Sequence, residues 1–493
     1  MNAAIFIILG SIILSFYLVI KAKKGKDMDL EQWTVGGRGF GTIFMFLLTA
    51  GEAFTITTFL GSSGQTYNNG GAALFIMCYG TLAYIISYFI LPKIWRYAKE
   101  NKLVSQSDFF VSKYKSPYLG VLTAIVGVIS MIPYLIVQLN GLGIIVYQAS
   151  YGLISPTLAM WIGTIVITIY VLISGIRGSA WTSVVKDFLL LFIVVFLGVY
   201  FPIHYYGGFG EMFQAIQTAK PGFLGLSETG QSPSWFITTV LISALGFYMW
   251  PHLFGATYSA ENEKVFRKNA MIMPLYQLVL LFIFFIGAAA ILQIPDLKGE
   301  ETDLILLSLS TQTFDPWIVG LIGAAGIFAA LVPGSMLLMT TSTLVAKNIY
   351  KVLKPQTSEK QISNLAKYLV PIIGAVSLFL SLQGGKTIIA LIVMGYSFVT
   401  QLFPALLFSL MKNNFITKQG AFAGIAVGMI TVTYITLTNT TVGKLFPFLP
   451  QSIKDFNVGI IALALNVIVL LVISLVTRNL SVQSKVVENK GVS

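Results

Sequence analysis

The sequence predicts an all-α polytopic membrane protein with about 13 transmembrane helices, and three observations predict it. First, apolar stretches of about 20 residues recur from Ile5 to Val476, and at ~1.5 Å per residue each matches the hydrocarbon thickness of a bilayer. Second, 56% of the 493 residues are hydrophobic and only 10% are charged, with a mean hydropathy of +0.82. A soluble domain carries about 25% charged residues, so there is too little polar surface here to coat a globular fold. Third, the basic residues are placed asymmetrically. With loops assigned alternately to the two sides, all of the 31 Lys and Arg except Lys220, Lys298, Lys386, Lys444 and Lys454 fall on one side, which the positive-inside rule makes the cytoplasm.

That distribution accounts for the net charge of +12 without nucleic acid as a partner. The basic clusters within 21–26, 93–115, 264–268 and 347–367 set topology and meet anionic headgroups. One cysteine, Cys78, and two histidines give no disulfide framework and make a structural zinc or iron–sulfur centre an unfavoured reading. The expected partners are the lipid bilayer and small solutes, with no cofactor.

The spans fall at 3–21, 40–66, 70–92, 118–149, 155–173, 180–201, 234–257, 268–293, 314–345, 363–384, 386–411, 419–438 and 457–476. No basic residue precedes the first, and Lys21-Ala22-Lys23-Lys24 follows it. A cleaved signal peptide has the reverse charge order, so the expectation is an uncleaved helix with the N-terminus outside and the C-terminal tail cytoplasmic. The 202–234 loop is Gly-rich and aromatic, long enough for a small cap. No linker divides the chain, so 1–493 reads as a single transmembrane domain.

Two spans depart from ordinary lipid-facing helices. The second carries Thr49-Ala50-Gly51-Glu52-Ala53-Phe54-Thr55, a glycine beside a carboxylate at mid-membrane depth. The seventh carries Gly246-Phe247-Tyr248-Met249-Trp250-Pro251-His252, where proline removes a backbone donor. Interrupted helices at corresponding positions of two halves point to a transporter site at the midplane. Five spans separate one from the next. That gives 1–39 as an extra helix and loop, 40–201 as one five-helix repeat, 202–233 as an outer loop, 234–411 as a second repeat and 412–493 as two extra helices and a tail. Because five is odd, the second repeat is inverted. The alternative is two unrelated kinks in a long bundle.

These residues also resemble the sodium:solute symporter family over nearly the whole chain. Trp33-Thr34-Val35-Gly36-Gly37-Arg38-Gly39-Phe40-Gly41 is similar to the family's Gly-Gly-Arg segment, and Gln138-Leu139-Asn140-Gly141-Leu142-Gly143 to its third core helix. Ala180-Trp181-Thr182 resembles the entry to the fifth, and Trp250-Pro251-His252 the Gln-Pro-His of the sixth. Within the family, Leu103-Val104-Ser105-Gln106-Ser107-Asp108-Phe109-Phe110 and Leu331-Val332-Pro333-Gly334-Ser335-Met336 are among the stretches that look like bacterial monocarboxylate permeases. The resemblance implies a LeuT-like 5+5 inverted repeat and cation-driven uptake of a short carboxylate such as lactate or pyruvate, in the bacterial plasma membrane. It also implies ion binding by backbone carbonyls of Ala50 and Ala53 and by the eighth core helix at Ala330, where Ser335 could supply a hydroxyl after a one-residue shift or Pro333 could free a backbone carbonyl. Pro333 and Gly334 stand where the family's hydroxyl pair is expected, and Ser183 where an Asp commonly follows Trp-Thr. The coupling ion is therefore left open between sodium and a proton.

The candidate solute-contacting residues are Glu52, Thr55, Gln138, Tyr248, Trp250 and His252. A charged group at the bilayer centre costs about 2.5–3.5 kcal/mol on insertion scales, so Glu52 pairs, faces water, or serves as an ion or proton site. His252 could shuttle protons or donate to a carboxylate, against a packed, hydrogen-bonded histidine. Tyr248 and Trp250 could wall the site or simply pack. Gln138 and Asn140 suit a solute or interhelical bonding. Thr55, Thr57 and Thr58 could bond their own backbone instead of a ligand. For Lys186–Asp187 the expectation is an internal pair or snorkelling, and for the Gly-rich 320–326 segment close helix packing. The reading is a secondary active symporter. Alternatives are a symporter of another small solute such as an amino acid, and a membrane-embedded enzyme or channel, for which no nucleophile, metal-ligand or filter pattern is visible.

Overall fold

The computed structural model describes residues 3–25 and 28–490, and the side chains of these except at 52, 53 and 479–490. Among the described residues every regular element is helical. The one β-bridge joins Phe40 to Ala260.

In chain order, α1 (Ala3–Lys23) is followed by the short α2 (Leu30–Val35). Next come α3 (Thr42–Ala53), α4 (Ser62–Asn69) and α5 (Phe75–Glu100). A surface helix, α6 (Gln106–Tyr114), precedes the long α7 (Pro117–Ala149), α8 (Pro156–Ser174) and α9 (Ile176–Tyr206). The expected cap in the Gly-rich loop is a helix, α10 (Phe209–Ala219), held down by buried Met212 and Ile216. The second half continues with α11 (Pro233–Gly246), α12 (Pro251–Thr257), α13 (Lys264–Tyr276), α14 (Leu280–Gln293) and α15 (Ile305–Thr313). It ends with α16 (Pro316–Thr343), which runs through a π-type segment into α17 (Lys351–Leu353), then α18 (Glu359–Ser381), α19 (Ile388–Val399) and α20 (Phe403–Ser409). Last are α21 (Lys418–Thr438), the single turns α22 (Val442–Leu445) and α23 (Gln451–Lys454), and α24 (Val458–Lys490).

Caps explain several boundaries. Ser116 and Ser155 each accept from a backbone N–H, and each is followed by a proline at the first helical position, the arrangement that best satisfies an N-terminus. Ser105 and Ser358 form reciprocal capping boxes with Asp108 and Gln361.

Eleven helices among the described residues are long and apolar enough to cross a membrane, or up to twelve if the pair around Trp250 is one span. The sequence-based list is longer because α3 has only 12 residues and its continuation runs directly into α5. Burial separates centre from rim. The most apolar window of α16–α17 is 94% buried and that of α19–α20 83%, against 33% for α1 and for α24. An apolar helix buried all round is a core element, whereas a half-covered one faces lipid. The Gly-rich stretch of α16 does what close packing requires. A Cβ on Gly320 would meet the Ala4 backbone at 2.7 Å, and one on Gly326 would meet Ile145 at 2.5 Å.

Candidate functional site

Both expected interruptions are present, each with a local cause. At the first, Phe54 leaves the helix (φ −105°, ψ 83°), and its N–H still reaches the Ala50 carbonyl at 3.0 Å. The Thr55 N–H instead donates to Thr58 Oγ1 at 2.9 Å, and that hydroxyl donates back to the Thr55 carbonyl at 3.0 Å. Thr55 Oγ1 accepts from the Thr57 N–H at 3.1 Å. Two threonines thus replace helix bonds with side-chain bonds and restart the chain as a π-type turn leading into α4. At the second, α11 tightens to a 3₁₀ turn and Trp250 becomes extended (ψ 123°), the conformation that a following proline favours. The two halves meet at 52°. The Met249 carbonyl exposed there accepts from Gln106 Nε2 of α6 at 2.8 Å.

The breaks face one another across a small cavity with a buried lining. Thr55, Thr57 and Thr58 line one wall and Phe247, Trp250 and Leu253 the other, with Ile76, Tyr79, Tyr134, Gln277, Ile392 and Tyr396 between. Its volume of about 20 Å³ has room for about one water molecule, so a solute must part the walls to bind. Among the described residues no charged side chain lines it. Thr57 Oγ1 and Gln277 Oε1 are buried without a hydrogen-bond partner among the described residues.

On the side of the 202–233 loop lies an open vestibule of about 900 Å³. Gln65, Trp235, Ala390 and Val393 line it, together with Lys386, Lys444, Lys454 and a single acid, Asp455. Helix α19 stands between vestibule and cavity, with Ala390 and Val393 on the first and Ile392 and Tyr396 on the second. Its N-terminus is tied down: the Ile388 N–H donates to Asp303 at 2.9 Å, and the Gly385 N–H to Glu300. Burial pushes the Asp303 carboxyl up to about 7, against the lowering effect of the Ile388 bond and with a small upward push from Glu300.

Away from the vestibule, a polar latch joins α6 to the segment that follows α16. Asp108 of α6 accepts from Lys347 Nζ at 2.8 Å, from Asn348 Nδ2 at 2.9 Å, and from the Val104 and Ser105 N–H groups at 3.1 Å. Burial works to raise its pKa, but the Lys347 ammonium, then Asn348 and Val104, outweigh it and hold the carboxyl below the usual range. Ser105 Oγ donates to Asn348 Oδ1 at 2.9 Å.

Of the residues singled out from sequence, Thr55 and Trp250 line the cavity. Tyr248 does not; its ring packs on Phe247 at 5.1 Å. His252 lines a separate small cleft beside Ser105 and Thr343, with its ring 5.5 Å from Tyr134. Gln138 is fully buried and lies beside Gly334 of α16. Asn140 Oδ1 accepts from Ser381 Oγ. The Glu52 and Ala53 side chains lie outside the described residues. On the ion-binding set, the Ala50 carbonyl carries the Phe54 bond, Ala330 is buried in α16, and Ser335 Oγ donates to the Val332 carbonyl at 2.6 Å and meets Ser179 Oγ at 2.8 Å. Sequence reading did not single out Tyr79, Gln277 and Tyr396 as site residues; Gln277 lies in a 3₁₀ turn between α13 and α14, three residues after Pro274, and Tyr79 and Tyr396 lie within α5 and α19. Lys186 is wholly buried and paired with Asp187 at 3.4 Å, so of its two expected arrangements it takes the internal pair.

Residues 33–428 match the sodium:solute symporter family. The chain is 65% identical over 478 residues to the uncharacterised symporter YhjB of Bacillus subtilis, covering 97% of this chain and 98% of that one. It is 28% identical over 454 residues to a monocarboxylate transport permease of Rhizobium johnstonii, covering 90% of each. A Na⁺-coupled sialic acid symporter, solved substrate-bound and outward-open, superposes with a TM-score of 0.78 at 17% identity, covering 97% of this chain and 98% of that one. The class is a multi-pass transporter of the bacterial plasma membrane with the LeuT-like fold, and not an enzyme. The chain belongs to the sodium:solute symporter family.

Proposed function

We propose that the protein is a symporter that uses a sodium or proton gradient to take up a small monocarboxylate such as lactate or pyruvate, by alternating access around the cavity between the two breaks. The observation that carries the anion reading is the charge of the entry route. Three lysines and one aspartate line the vestibule, and a cleft of net positive charge raises the local concentration of anions. The cavity beyond is neutral and rich in hydroxyl and amide groups, which can bind a carboxylate without a fixed cation. Thr57, Trp250 and Gln277 are the proposed solute contacts, with Thr55 and Thr58 shaping the backbone between them. The likeness to the Rhizobium johnstonii permease supports the same solute class. The 1–39, 40–201, 202–233, 234–411 and 412–493 division and a cytoplasmic latch face belong to this proposal.

The test is uptake of labelled lactate and pyruvate into proteoliposomes under separately imposed sodium and proton gradients. Concentrative uptake of either acid under one gradient is expected. Loss of uphill accumulation is expected in Glu52→Gln, since a carboxylate at this depth suits the carriage of a cation. Failure of both acids to accumulate under either gradient would reject the solute class.

A further inference from the structure

Lys186 projects from α9 toward the end of α3. A lysine is almost never wholly buried without partners, and this one has specific ones. Its Nζ donates to the Gly51 carbonyl and, at 3.0 Å, to the Phe54 carbonyl, and Asp187 lies 3.4 Å away. These carbonyls are bare because of the break. Within a continuous helix the Gly51 oxygen would receive the Thr55 N–H, but that donor is spent on Thr58 Oγ1. The C-terminal end of a helix carries roughly half a negative elementary charge, and orphan carbonyls away from water require a donor or a cation. The ammonium supplies both. Space is reserved for it, since a Cβ on Gly51 would lie 3.0 Å from Nζ and 3.1 Å from Ser183 Oγ. On the α16 side, the Ser335 hydroxyl is already committed to Val332 and Ser179.

We propose that Lys186 is a tethered cation: its ammonium fills the carbonyl end of the first half-helix, in the place of a mobile metal ion, and this break takes up no sodium. A hard metal ion would need several of the same oxygens, and the ammonium holds them with Asp187 balancing its charge. Lys186 is therefore a residue that decides which ion drives transport. The inference deepens the symporter reading and rests on it, but its test uses no organic solute, so failure of lactate uptake leaves it untouched.

The experiment measures sodium-22 bound to the purified full chain in detergent, for wild type, Lys186→Ala and Lys186→Arg. Lys186→Ala empties the carbonyl end and is expected to bind about one more sodium per chain than wild type. Lys186→Arg keeps a fixed cation there and is expected to match wild type. A Lys186→Ala protein that is monodisperse yet binds no more sodium than wild type overturns the proposal. If Lys186→Ala does not fold, the other pair decides. Sodium binding that is nil in wild type, or survives in Lys186→Arg, upholds it; sodium bound by wild type and lost in Lys186→Arg places an ion at the break and overturns it.

Discussion

Gly51 shows how one missing methyl decides a local arrangement. Gly51→Ala would press a Cβ to 3.0 Å from Lys186 Nζ and 3.1 Å from Ser183 Oγ, closer than ordinary contact. The ammonium cannot simply withdraw, because it satisfies the Gly51 and Phe54 carbonyls. Overpacking of this kind costs about 1–3 kcal/mol, and a correspondingly lower midpoint of thermal unfolding in detergent is the expected result. An unchanged midpoint would mean that the ammonium is loosely held. Asp303 makes a second prediction at this scale. Its carboxyl is pushed from 3.8 up to about 7 by burial, so the folded-state value exceeds the unfolded one. The stability it contributes is then fully present below pH 3.8 and lost as pH rises through about 7. Asp303→Asn retains an oxygen for the Ile388 N–H but cannot ionise. Melting curves from pH 5 to pH 8 should fall more steeply for wild type than for Asp303→Asn; parallel curves would show that Asp303 does not titrate in this window.

Between elements, the latch around Asp108 ties α6 to the segment that ends α16. Lys347→Ala would leave the carboxylate with Asn348 and two backbone donors but no compensating charge. Loss of about 1–3 kcal/mol is expected for stripping a partner from a largely buried charged group, read from unfolding at neutral pH. Because the Asp108 pKa is lowered, the stability it supplies is present above its unfolded value and lost as pH falls through its folded one. The difference between wild type and Lys347→Ala should therefore shrink in acid. This latch was not legible in the sequence, although Asp108 stood inside a recognised stretch. Its partner Lys347 is 239 residues away, and no local pattern encodes a pairing at that separation. The breaks were legible because local signals mark them: a proline that disfavours helical backbone at Trp250, and a glycine beside a carboxylate at mid-membrane depth. What the sequence did not disclose was how the first break is sealed. Thr58 and Lys186 were visible as residue types, but which carbonyl each serves depends on packing between α3 and α9.

The same division holds for the whole molecule. Apolar run lengths and the placement of lysines made the membrane class legible, since both follow from the bilayer as a solvent, while the carrier fold was legible only through the two paired breaks and the resemblance to the symporter family. The cavity was half legible: Thr55 and Trp250 come from broken helices, whereas Tyr79 stood only in a stretch resembling the permeases, and Gln277, in the 3₁₀ turn after Pro274, and Tyr396 carried no signal that marked them as cavity residues. Alternating access requires that vestibule and cavity be separate compartments, and α19 is the partition. Ala390 is exposed on the vestibule side, while Ile392, two residues on, is 5% exposed and lines the cavity. With Cys78, the single native cysteine, replaced by serine, Ala390→Cys and Ile392→Cys report on the two compartments. A membrane-impermeant thiol reagent should label Ala390→Cys at least about tenfold faster, since nothing but motion of α19 or its neighbours opens a route to position 392. Adding a transported acid should change the rate at 392 and leave that at 390 within about twofold, because the vestibule stays open while the cavity cycles. Equal labelling at both positions, insensitive to any transported solute, would mean that the cavity is continuous with the vestibule, and a carrier that moves its solute past a partition would then be ruled out.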